Sequence, residues 1–445
     1  MTDNRKSLSI QLVLFFGAII CMSAAMGVHE SIFNNYLADT FNLSAPARGW
    51  LEMPRELPGF LVVVMAGVLW ALPVTRLGLV GAAIFLVGTV GLAVLGSSYG
   101  AMVVMMVLAS AGQHLIHPVS ASIALATSDA TNRGWRMGQM RATETIGLIL
   151  GAGIVWFLFD KVHPQYRLGF LIAGVVGLLA GIFYGFMHIP QLHKPRPKLV
   201  LRRRFTLYYV LEFVFGARKQ IFLTFGPWVL IQVYGLSASS IAGLLMTAAI
   251  IGIVFKPLAG LAIDRLGERA VMVVDGLALA VVCLGYGYAL HLVLLTRSVA
   301  PGYFLADGLF SSAAFGSTVG TTARTLACGC FIADNLLFAL GSARATYLSR
   351  MSHCHQEISS TLAMGVSINH IASMTIPVVA GALWAALGYE HLFAAAAVLA
   401  LSISALSTLV PARGVPLIAH QPPAPEPPLE PELQPVAAES SSLAK

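Results

Sequence analysis

The sequence predicts an all-α integral membrane protein of twelve transmembrane helices, arranged as two pseudo-symmetric six-helix bundles. Three observations predict it. Apolar residues make up 57% of the chain and charged residues only 11%, where a soluble domain carries about 25% charged. Apolar runs recur along the chain, each of about 20 residues and so able to cross about 30 Å of hydrocarbon as a helix. A charged turn between two such runs, GLAIDRLGER at Gly260–Arg269, has a worn copy, ALPVTRLGLV at Ala71–Val80, displaced by 189 residues. One membrane unit is built twice.

The elements follow in order. Arg5 and Lys6 precede the first apolar run, Leu8–Ala25, which continues through polar residues to Phe33 without a small-residue cleavage site. It reads as a retained helix rather than a signal peptide. The first six spans are expected at about 10–37, 48–72, 79–97, 101–125, 139–160 and 167–188, within a bundle covering 1–190. A basic cytoplasmic loop follows at 191–204, with Lys194, Arg196, Lys198, Arg202, Arg203 and Arg204. The second bundle, 205–410, holds spans at about 205–232, 239–262, 270–294, 326–348, 358–384 and 390–410. The tail, 411–445, contains PPAPEPPLEPELQP and a serine run, a composition that cannot form a core and predicts a disordered cytoplasmic segment.

Counting Lys and Arg orients the chain. With the N-terminus inside, fifteen fall on the inner side, including the six of the central loop. Five fall outside: Arg48, Lys161, Arg167, Arg297 and Arg324. Both termini are therefore expected to be cytoplasmic, in the cytoplasmic (inner) membrane, and the net charge of +7 anchors the inner face. No nucleic-acid partner is needed to explain it; the partners expected are the lipid bilayer, a small polar solute and protons, with the chain acting as a monomer. The five cysteines show no disulfide framework, and His353-Cys354-His355 reads as a loop more readily than as a soft-metal site.

The repeat extends beyond the turn. At the same displacement GVHESIF at Gly27–Phe33 meets GARKQIF at Gly216–Phe222, so His29 matches Arg218 and Glu30 matches Lys219. Further on, AGQHLIHPVSAS at Ala111 meets ADNLLFALGSAR at Ala333, displaced by 222. The extra residues point to an outer-loop insert at 297–325.

Two sets of six spans, a basic central loop and G-x-x-x-D-R-x-G between spans eight and nine resemble the major facilitator superfamily over about 10–410. The first-half copy departs from the family pattern, with Thr75 at the Asp position and Ala71 at the first Gly position, which marks an atypical member of no identified subfamily. The resemblance implies inverted three-helix repeats, a solute site near the bilayer midplane and alternating access by rocking of the halves. Gly260, Asp264, Arg265 and Gly267 would then form a cytoplasmic conformational motif, with interfacial anchoring as the alternative.

A charge at the membrane centre costs at least about 2.5–3.5 kcal/mol, yet spans one, two, four, five, seven, eight, ten and eleven all carry polar or charged residues. Spans three, six, nine and twelve carry almost none, as suits outer, lipid-facing helices. The economical explanation is a polar cavity. Its candidate solute-binding residues are Arg218, Lys219, His114, His117, Asn335, Asn369, His370 and Arg55. Candidates for proton coupling or an ion-pair switch are Glu30, Glu144, Asp334 and Glu56. Glu30 and Lys219, opposite in sign and equivalent in position, are expected to pair across the pseudo-twofold axis, as a switch or as a static lock. Arg218 suits a carboxylate or phosphate, unless Asp334 or Glu144 pairs with it. Arg55 lies between Glu52 and Glu56, as a self-neutralised cluster or a solute ligand. His114 and His117 share a face, as hydrogen-bonded cavity residues, as proton or solute contacts, or as half of a metal site. No metal site, cofactor or catalytic set is expected.

The function expected is secondary active transport, proton-coupled, of a small anionic or zwitterionic solute, because acidic and basic cavity residues balance. The alternatives are a multidrug exporter of the same fold, whose cavity would be greasier, and a sensor that binds without transporting.

Overall fold

The computed structural model describes residues 2–61, 72–128, 132–189, 201–296, 318–353 and 355–412. The helices of the first bundle are α1 (Thr2–Phe41), α2 (Ala45–Phe60), α3 (Val74–Leu95), α4 (Tyr99–Ala126), α5 (Arg133–Leu158) and α6 (Tyr166–Phe186). Those of the second are α7 (Thr206–Gln232), α8 (Ala238–Leu266), α9 (Glu268–Gly287), α10 (Ala289–Thr296), α11 (Thr318–Leu337), α12 (Ser342–Met351), α13 (His355–Leu387) and α14 (Tyr389–Ser407). A 3-10 turn at Phe338–Gly341 joins α11 to α12, so one span is broken at mid-depth.

Among the described residues, ten helical stretches are long and apolar enough to cross a membrane. The other two expected spans are α2, whose continuation lies outside the described residues, and α7, which carries Glu212, Arg218, Lys219 and Gln220. The described part of α2 is only 16 residues long, whereas α7 is long enough but too polar. Local signals start two helices: Ser44 accepts a hydrogen bond from the Ala47 amide at 3.4 Å, and Ser237 from the Ser240 amide at 3.4 Å. Outward apolar side chains such as Val94 on α3, Phe186 on α6, Val281 on α9 and Val398 on α14 are exposed, as a lipid-facing surface requires.

The two bundles meet unevenly. One hydrophobic core at the end of the molecule away from the N-terminus draws on both, from Val28, Ile32 and Leu37 of α1 to Ile221, Phe225 and Trp228 of α7 and Phe393 of α14. At the N-terminal face the cores separate. Phe15, Leu77, Ile123 and Tyr184 pack within the first bundle, and Phe205, Tyr208, Ile263 and Tyr347 within the second. The bundles are therefore joined at the far face and part toward the N-terminal face. Two seams hold the join, α2 against α13 and α5 against α8.

Each bundle is pinned at the far face by the same bond. Tyr36 on α1 donates to the Gly96 carbonyl at the end of α3, and Tyr286 on α9 donates to the Gly226 carbonyl on α7, both at 2.5 Å. The two bonds superpose within a residue under the 189-residue displacement, with donor and acceptor exchanged between the first and third helices.

Two expectations about loops are corrected. Thr318 to Arg324 lie in α11, because Thr-Val-Gly-Thr-Thr-Ala-Arg simply continues the helix, so the helix claims the last part of the expected 297–325 insert. Arg48, taken as an outer-loop cation, sits in the first turn of α2 and is only 2% exposed. The remainder of that insert (297–317), most of the basic loop (191–200), the tail from residue 413 and Cys354 lie outside the described residues.

Candidate solute-binding cleft

The interior polar site is built around α2. Glu52, with no exposed side-chain surface, accepts from Arg48 Nη1 at 2.6 Å, from Arg55 Nη2 at 2.6 Å and Nε at 2.9 Å, and from Gln220 Nε2 of α7 at 2.9 Å. The i, i+3 and i, i+4 spacings put both arginines on the face of Glu52. Arg48 reaches further, donating to Asn34 Oδ1 of α1 through Nε at 3.2 Å and Nη2 at 3.0 Å, and lies 5.8 Å from the Trp228 ring centre of α7. One carboxylate thus ties three helices of two bundles together. Sequence reasoning missed Arg48 and Gln220. The Arg48–Glu52 spacing carried the signal for the first; nothing local marked the second.

Beside this hub, side chains from four helices converge. Arg55 Nη2 lies 2.7 Å from Glu56 Oε1, and Glu56 Oε2 lies 3.2 Å from His370 Nδ1 on α13. The His114 and His370 rings are 5.2 Å apart. Lys219 Nζ donates to Asn369 Oδ1 at 2.7 Å. The structure therefore gathers Arg55, Glu56, His114, His370, Lys219 and Asn369, drawn from α2, α4, α7 and α13, where the two bundles face each other.

Other expected members lie elsewhere. Arg218 is corrected first: it is fully buried inside the second bundle and paired with Asp334 of α11, so its guanidinium does not face the cleft. Its charge also reaches Asp275 of α9. The cause is the pseudo-symmetry itself, which turns His29, the equivalent residue, into the first bundle at 7% exposure. Asp334 is accordingly a bundle-internal partner, and Asn335 spends its amide on the Phe331 carbonyl of its own helix at 2.8 Å. A second internal pair, Arg344 with Glu212 at 2.8 Å, stacks on the Phe215 ring.

Glu30 and Lys219 do not pair in this arrangement. Glu30, with a side chain 41% exposed, has His29 Nδ1 at 3.9 Å and is close enough to Arg55 for their charges to interact. At the other seam Arg141 holds Glu144 at 2.9 Å, while Lys256 of α8 donates to Thr145 of α5 at 3.2 Å. His117 is exposed on α4, a turn away from His114, with the Glu144 charge in reach.

The turn motif lies at the N-terminal face. Gly267 has φ 83° and ψ 159°, a conformation open essentially to glycine alone, and it ends α8 and starts α9 without a loop. Gly260, Asp264 and Arg265 lie in the last turns of α8, the latter two exposed. The neighbouring Glu268 is buried and paired with Arg350 of α12. On the same face Arg202 and Arg204, from the end of the basic loop, both grip Glu357 at the start of α13. Burial opposes ionisation of Glu357, but the His353 amide at 2.9 Å and the two guanidiniums outweigh it and hold the carboxyl below its usual range.

The model of the Major Facilitator Superfamily matches residues 14–329. Solved structures agree in fold. A variant of the nucleoside transporter NupG superposes with a TM-score of 0.70 at 12% identity, covering 90% of this chain and 99% of that one. A D-xylose-proton symporter gives 0.66 at 14% identity over 90% and 97%. A bacterial homolog of the human lysosomal transporter Spinster, inward-facing and occupied, gives 0.63 at 16% identity over 92% and 96%. No curated protein matches the chain in sequence. With the family model spanning most of the chain and the doubled bundle in place, the protein belongs to the major facilitator superfamily, as a multi-pass membrane transporter.

Proposed function

We propose that the chain is a proton-coupled secondary active transporter that moves a small anionic or zwitterionic solute by alternating access. The observation that carries this reading is the contrast between Lys219 and the interior arginines. Arg48, Arg55, Arg218 and Arg344 are each engaged by carboxylates. Lys219 faces the other bundle with a neutral amide, Asn369, as its hydrogen-bond partner. A solute carboxylate or phosphate can take that ammonium without breaking an ion pair. Glu30, at the equivalent position of the first bundle, is half-exposed and offers a carboxylate to a solute amine or to a proton. Arg218, Asp334 and Arg344 then serve as struts of the second bundle rather than as solute contacts.

Structural neighbours include a D-xylose-proton symporter and proton-dependent oligopeptide transporters, which makes proton coupling a natural property to test. On the charge count of the sequence, the N-terminal face is cytoplasmic, so the arrangement described is inward-open. The pathway lies within one chain, and a monomer suffices.

A thermal-shift screen of the purified protein against polar metabolites identifies the solute. Lys219→Met should then weaken its binding by about tenfold or more, the loss of one charge-assisted contact. Glu30→Gln should keep solute exchange across proteoliposomes while abolishing uptake driven by a pH gradient. Wild-type solute affinity in Lys219→Met would refute the assignment.

A further inference from the structure

We propose that Glu56, His114 and His370 form a binding site for a divalent transition-metal ion of the zinc class, and that the ion joins the two bundles. One ligand atom from each residue lies within 4.8 Å of the other two. A tetrahedral ion with bonds of about 2.0–2.1 Å sets its ligand atoms roughly 3.4 Å apart. His370 Nδ1 and Glu56 Oε2 already stand at 3.2 Å, so small side-chain rotations complete the set.

The surroundings prepare His114 for this role. The Ser110 hydroxyl donates its one hydrogen to the Arg55 carbonyl at 2.5 Å, so toward His114 it can only accept. The Ser110 carbonyl, 2.9 Å from His114 Nδ1, also accepts. The hydrogen of neutral His114 therefore sits on Nδ1, and Nε2 turns a bare lone pair toward the cluster. A ligating histidine is typically fixed in this way, its other ring nitrogen donating to a backbone carbonyl. Gly59 makes the space. A Cβ there would lie 2.3 Å from His370 Cε1 and 2.6 Å from His114 Nε2, so any side chain would force the two rings apart.

Charge and donor type narrow the ligand. Arg55 touches Glu56 Oε1 at 2.7 Å, but Arg48 and Arg55 are balanced by Glu52 and Glu56, and Glu30 adds a further negative charge nearby. Lys219, from the opposite helix, is turned to Asn369. Imidazole nitrogens favour zinc-class ions, whereas calcium and magnesium seek oxygen shells. The fourth position is left for water or an anion. Read from the sequence, His114 and His117 made only half a site; the fold supplies Glu56 and His370 instead. Glu56 and His114 belong to one bundle and His370 to the other, so a bound ion holds the bundles in the arrangement described. The site does not depend on the solute proposed above.

The test uses the full-length protein in detergent and Zn²⁺ alone, measured by equilibrium dialysis, with Co²⁺ as a visible reporter of tetrahedral coordination. A single equivalent of Zn²⁺ should bind. Its affinity should fall by about tenfold or more in His114→Gln and in His370→Gln, and the double variant should lose little further, because both remove one site. His117→Gln should bind as wild type, with circular dichroism confirming that each variant is folded. Wild-type Zn²⁺ affinity in either His114→Gln or His370→Gln overturns the proposal, as does an equal loss in His117→Gln.

Discussion

Glu52 is the residue on which most depends. Two guanidiniums and a carboxamide converge on a carboxylate with no exposed surface, and removing it strands Arg48, itself 2% exposed, without a counter-charge. Breaking a buried pair from one side costs about 3–5 kcal/mol. Glu52→Ala should therefore lower the thermal midpoint in detergent sharply, and Arg48→Met combined with it should recover part of the loss. A Glu52→Ala protein that melts like wild type would refute the hub. The sequence displayed Glu52, Arg55 and Glu56 as one helical face, because spacing alone decides that. It hid Arg48, since a cation beside an apolar run reads as a loop until the helix start at Ser44 is located. It hid the fate of Arg218 too: a hydrophobic neighbourhood tells that a charge is buried, but only packing tells which side of its helix faces the cleft.

Among the elements, two helix junctions repeat each other. Gly267, between α8 and α9, and Gly388, between α13 and α14, share a backbone conformation of φ 83° and ψ 159° against φ 92° and ψ 162°. They also share bonding: each glycine amide donates four residues back, and each glycine carbonyl receives an amide four residues on. These junctions are equivalent under the inverted three-helix repeat that the family resemblance implies. Strain of this kind costs about 1–3 kcal/mol for a side-chain-bearing residue, so Gly267→Ala and Gly388→Ala should each lower the melting temperature by a similar amount. A shift in neither would show that the backbone relaxes freely there. Composition and periodicity made the helices legible, including their approximate number. The break at Phe338–Gly341 was not, because no proline marks it; under the 222-residue displacement it falls opposite Pro118, where α4 runs on unbroken.

For the whole molecule, the N-terminal face is held by charge pairs on its surface. Arg202 and Arg204 strap the end of the basic loop to α13 through Glu357. Because the folded carboxyl titrates below its usual range, the strap contributes fully above the ordinary glutamate value of about 4.3 and is lost as pH falls through the lower folded value. Melting curves of wild type and Glu357→Gln should differ at neutral pH and converge in acid. A constant gap across that range would remove the strap from the account.

The paired tyrosine bonds at the far face have a mechanical meaning. Each ties the first and third helices of a bundle at one end, through a side chain too short to let them slide. Exchanging donor and acceptor between the halves leaves the tie intact, so the two bundles carry the same tie through different residues. Under the alternating access proposed above, what moves is one tied bundle turning against the other. In that scheme the far face is the fulcrum, and a small angle there opens a wide gap at the other end of two levers.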